Sequence, residues 1–117
     1  MNYPIELQAI TSWLVSRADS LAGTGITLAE TAARSEYVPA ARTDFNSDSR
    51  VGRINFWVTG EVDFEVLDRA DGASLFFRNE TIEALHARQL DEAYAAFIVA
   101  MAGEKSRGEC QNSLASS

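Results

Sequence analysis

The chain predicts an α+β fold, with four to five consecutive antiparallel strands in a meander and one helix at each end, both on the same sheet face. Three observations predict it. Residues 51–65 alternate apolar and polar side chains on either side of a single glycine turn, the period of a β-hairpin. Toward both ends, apolar residues recur at intervals of three and four, the period of amphipathic helices. Between the helices no repeat or low-complexity stretch interrupts the order.

The first helix is expected over residues 4–22. Ile10, Trp13, Leu14, Arg17 and Leu21 form its stripe, Pro4 sits in the first turn and Gly23 lies beyond the stop. Trp13 shares the stripe with Ile10 and Leu14, which assigns it to the core. Ile26, Leu28 and Glu30 then alternate weakly with Thr27, Ala29 and Thr31, and a second extended piece runs from Ala41 to Asn46 after Pro39. Between them Ser35-Glu36-Tyr37-Val38-Pro39, and after them Asn46-Ser47-Asp48-Ser49, carry connection chemistry.

In the central hairpin Ile54, Phe56 and Val58 share a face with Val62, Phe64 and Val66. Arg53, Asn55 and Trp57 face the other way, beside Asp63 and Glu65. Pairing Val58 with Val62 and Phe56 with Phe64 keeps the faces consistent and leaves the loop Thr59-Gly60-Glu61, with glycine supplying a positive φ. The Asp-Gly signal in Arg69-Ala70-Asp71-Gly72 predicts a second hairpin that returns as residues 73–79. A four-residue loop sets Val66 across from Leu75 and Phe64 across from Phe77, which turns Phe76 outward beside Glu65 on the same face as Trp57. Leu90, Ala93, Tyr94, Phe97, Ile98 and Met101 place the second helix at 88–102, with Gly103 past its end. Residues 1–103 are thus expected to form a single domain, and the polar residues 104–117, which contain Cys110, a mobile tail.

Composition narrows function. A chain of 117 residues with 46% hydrophobic and 23% charged residues suits one small core. Ten basic against seventeen acidic residues give a charge of −7, which disfavours nucleic acid and anionic membranes and favours a basic protein surface. One cysteine cannot form an internal disulfide, and no apolar run reaches the ~20 residues of a membrane span. Without the basic flank and apolar run of a secretory signal, the expectation is a cytoplasmic protein.

Chemistry has little to stand on. His86 is the only histidine, so neither a zinc cluster nor a Cys/His dyad is expected. Phosphate-binding glycine loops and the G-x-S-x-G elbow are absent from the sequence. Asp63 and Glu65 share a strand face but read as solvated carboxylates rather than an acid/base pair. The expectation is a binding protein with no catalytic residue, cofactor or metal. Trp57 is its aromatic anchor if the outer sheet face is open, or part of a second core if another segment covers that face. Arg53 and Asn55 oppose Leu67 and Glu65 in this pairing, so Arg53 either bridges diagonally to Glu65 or Asp63 or serves a partner.

At Gly52-Arg53-Ile54-x-x-Trp57-x-x-Gly60-Glu61-x-Asp63-x-Glu65-Val66 the chain resembles the TriTu family of immunity proteins. The resemblance is best over residues 50–78 and extends loosely to both helices. Residues 34–49 hold more polar residues than a minimal member, and the tail after Gly103 looks like an addition. The resemblance implies a small cytosolic protein, encoded beside a toxin of an interbacterial polymorphic or type VI secretion system. Such a protein inhibits by binding an ADP-ribosyltransferase that modifies elongation factor Tu. On this reading the partner is a cognate toxin with a basic active-site cleft, met by Arg53, Asn55, Trp57, Glu61, Asp63, Glu65 and Phe76, and the free protein is a monomer. The alternative class is a small acidic secretion chaperone, which would instead expose apolar grooves and dimerise.

Overall fold

The computed structural model describes residues 3–34 and 37–103. Helix α1 (Leu7–Ser16) continues as a 3₁₀ turn (Arg17–Leu21). Then follow β1 (Thr27–Arg34), β2 (Ala40–Asn46), β3 (Arg50–Trp57), β4 (Glu61–Asp68), β5 (Ser74–Thr81) and helix α2 (Arg88–Ala102). The strands form one antiparallel sheet in the order β1-β2-β3-β4-β5, the predicted meander, and α2 has its predicted bounds. Part of the β1–β2 connection (Ser35-Glu36) and the expected tail with Cys110 lie outside the described residues.

The first helix is shorter than the continuous 4–22 expected, for reasons at both ends. Before it, the Ile5 amide donates to the carbonyl of Val58 at 3.3 Å, and Glu6 is extended at φ −79°, ψ 144°, so these residues tie down the sheet instead of starting a helix. At its far end the Trp13 carbonyl accepts from Ser16 Oγ and Arg17 Nε. Such side-chain competition for backbone acceptors favours a tightened last turn.

Both helices lie on the face formed by Phe45, Ile54, Phe56, Val62, Phe64 and Val66, and there they bury Ile10, Leu14, Leu90, Phe97 and Met101. Phe97 sits at the centre, edge-on to Phe45 at 5.0 Å and tilted against Phe64 at 5.8 Å. Gly52 makes this approach possible, since a Cβ there would stand 2.6 Å from Met101 Sδ and 2.8 Å from Phe97 Cζ. Trp13 is half-buried, as its stripe predicts. It packs edge-on against Phe56 and Tyr94 with the Arg17 guanidinium 4.5 Å over its ring, joining the two helices. The end of α2 is held by Arg50 Nη1 donating to the Ala100 carbonyl at 2.6 Å, by Ser47 Oγ donating to the Met101 carbonyl, and by Gly103 at φ 73°.

Two registers differ from expectation. In the β3–β4 hairpin Phe56 pairs with Val62 and Ile54 with Phe64, so the loop is Val58-Thr59-Gly60 and not Thr59-Gly60-Glu61. The faces are unchanged because the pairing slips by two residues, a full side-chain period. Glycine at φ 100° stands last in the loop, where a three-residue hairpin loop calls for a positive φ, and a Cβ there would collide with the Ile82 carbonyl. The β4–β5 loop does have the four predicted residues, with Asp68 N–H bonded to the Ala73 carbonyl. However, the register then shifts between Val66 and Leu67, so Val66 opposes Phe76 and Glu65 opposes Phe77. One extra residue in β5 flips everything after it.

Candidate partner-binding face

The other sheet face is built from the alternate residues of the five strands, set in rows across the strands. One row runs Ala32, Arg42, Asn55, Asp63 and Asn79. The next runs Glu30, Asp44, Arg53, Glu65 and Phe77. Trp57 lies opposite Ala40, which lies opposite Arg34. Glu61 opens β4 just beyond the turn. Among the described residues no helix packs on this side, because the buried apolar side chains of both helices belong to the core on the opposite face.

Six of the seven sequence-predicted residues therefore share one face: Arg53, Asn55, Trp57, Glu61, Asp63 and Glu65. Phe76 does not. It is half-buried against the core, and Phe77, 59% exposed, takes its place beside Glu65 because of the register shift in β5. Arg53 lies directly across from Glu65, yet its guanidinium bonds Asp44 on the other side at 2.8 Å, so the diagonal bridge to β4, one of the two alternatives for it, is not made. Asp63 instead accepts a hydrogen bond from the Asn79 side chain. The β4 carboxylates Glu61 and Glu65 thus keep their charge directed outward.

Sequence reasoning missed the opposite half of the face. Arg34, Arg42 and Arg53 surround a depression of about 300 Å³, floored by Ala32 and Ala40 and bounded by Trp57. The signal was present in the alternation of β1 and β2, but it could be read only once their register to β3 was known. Near the same end of the sheet Tyr37 is 99% exposed with φ 55°, a left-handed conformation uncommon for a residue with a Cβ. The neighbouring Pro39 carbonyl accepts the Val58 amide, which ties this loop to the β3–β4 turn.

No group of three or more His, Cys, Asp or Glu side chains is placed to hold a metal among the described residues, and none of their helices is long and apolar enough to cross a membrane. Fold and face define an α-β5-α protein with one sheet face packed under helices and the other uncovered by any described helix, aromatic and divided in charge. The chain belongs to the TriTu immunity proteins: the family model described as Immunity protein TriTu matches residues 8–100, from α1 into α2. Membership assigns it an immunity function and implies a toxin as its binding partner. No curated protein matches the chain significantly.

Proposed function

We propose that the chain neutralises a cognate ADP-ribosyltransferase toxin, directed at elongation factor Tu, by laying its outer sheet face over the toxin's active site. It acts as a monomeric, cytoplasmic, non-catalytic inhibitor. The observation that carries the reading is the outer face itself, where Trp57 and the carboxylates of Glu61, Asp63 and Glu65 stand on rigid strands with no described helix over them. A pre-ordered strand surface loses little side-chain freedom on docking, and a buried aromatic anchor supplies much of the affinity. A cleft that holds the phosphates of NAD needs basic residues, and the β4 carboxylates are their electrostatic complement.

The test is kinetic. The purified chain should inhibit the toxin's transferase activity competitively with NAD, and Trp57→Ala should weaken binding by about thirtyfold or more, the scale of an aromatic hot spot. Exchanging Asp63 and Glu65 for Lys should slow association and flatten its salt dependence. Inhibition that is non-competitive with NAD would remove active-site occlusion. Binding indifferent to all three positions would move the interface off this face.

A further inference from the structure

The depression beside Trp57 has the opposite sign to the chain that contains it. Three of the ten basic residues of a protein with net charge −7 surround this one hollow. Arg53 is neutralised by Asp44, but Arg34 and Arg42 make no ion pair or side-chain hydrogen bond among the described residues. Ala32 lies opposite Arg42 and two positions from Arg34, so the two arginines are diagonal neighbours across β1 and β2, a spacing of roughly 7–8 Å. Two like charges held this close, with no ion-pair partner among the described residues, favour an incoming anion.

The hollow's shape says which kind. At about 300 Å³ it stands at the lower limit of small-molecule pockets, roughly 300–1,000 Å³, which suits one or two side chains better than a dinucleotide. Its alanine floor lets a partner's chain approach closely, Trp57 offers an apolar wall to a side-chain stem, and guanidinium groups match a carboxylate through paired N–H donors.

We infer that this depression receives an acidic side chain projected by the toxin and held by Arg34 and Arg42. The inference rests on the toxin-blocking reading and deepens it. The complex is then oriented by a two-signed pattern, with an acidic toxin residue at the arginine end and basic toxin residues along β4. A partner with a uniformly basic surface would meet Arg34 and Arg42 as repulsion, so the pattern also discriminates among toxins.

The experiment measures binding of the full chain to its cognate toxin. Arg34→Glu with Arg42→Glu should lower affinity by at least about tenfold, with the melting temperature unchanged because both side chains lie away from the core. In that double variant, changing one particular surface Asp or Glu of the toxin to Lys should restore binding. Should the double variant unfold, Arg34→Gln with Arg42→Gln takes its place, again with a loss of affinity expected. Unchanged affinity overturns the inference. If Asp63→Lys with Glu65→Lys still weakens binding in that case, toxin blocking by this face stands and only the acid-receiving hollow falls. If neither pair matters, the face itself is not the interface. Dimerisation of the free chain that Arg42→Glu abolishes would assign the hollow to a second copy's β4 carboxylates and likewise overturn the proposal.

Discussion

On the helix-covered face of the sheet, Phe45, Ile54, Phe56, Phe64 and Val66 have no exposed surface, whereas their alternates Arg53, Asn55, Trp57, Asp63 and Glu65 are partly or largely open to solvent. The same strands thus carry two surfaces with different tolerances. On the covered face each methylene is held against a neighbour, and loss of volume leaves a cavity. On the outer face a change costs the fold little, and under the proposed docking it is felt only when a partner arrives. The contrast separates residues that make the protein from residues proposed to meet its partner.

The comparison breaks most sharply at Phe64. Phe64→Ala should destabilise the protein by about 3–5 kcal/mol, read from the midpoint of urea unfolding, while Trp57→Ala should shift stability by less than about 1 kcal/mol. Equal losses at the two positions would mean that Trp57 is buried in solution and the outer face covered. Gly60→Ala comes next. With φ at 100° and the Ile82 carbonyl in the way, it should cost about 2 kcal/mol or more, and an unaltered melting temperature would contradict the glycine's place at the end of the turn. The adjacent phenylalanines give the smallest effect and the finest discrimination. Phe76→Ala should cost on the order of 1–2 kcal/mol and Phe77→Ala about 0.5 or less. The reverse order would restore the register without the β5 shift.

Several elements were legible in the residue pattern because their signals are local. The stripe from Leu90 to Met101 and the glycine after it bound α2 correctly, and the alternation around Gly60 assigned both faces of β3 and β4. The residue pattern overruns helix α1 at its start because the hydrogen bond from the Ile5 amide to Val58 is a long-range contact invisible in the sequence. Phe76 was misassigned for a comparable reason. The four-residue loop 69–72 follows from its Asp-Gly signal, but a bulge is one unpaired residue in the ladder, and nothing local in Ser74-Leu75-Phe76-Phe77 marks it.

The candidate face divides along the same line. Its β3–β4 half, Arg53 to Glu65, could be read because a hairpin brings near neighbours together. Its β1–β2 half could not, because Arg34 lies on a weakly patterned strand and reaches Trp57 only through two successive registers, Arg34 to Ala40 and Ala40 to Trp57. The sequence by itself therefore determined the α+β order, the two-faced central hairpin and the acidic stripe, all consequences of side-chain period and composition. Only the tertiary structure decided that Phe77, not Phe76, faces outward, and that two arginines without an ion pair among the described residues meet beside Trp57. Strand register is a property of the whole sheet, and one residue of slip carries a side chain from one face to the other.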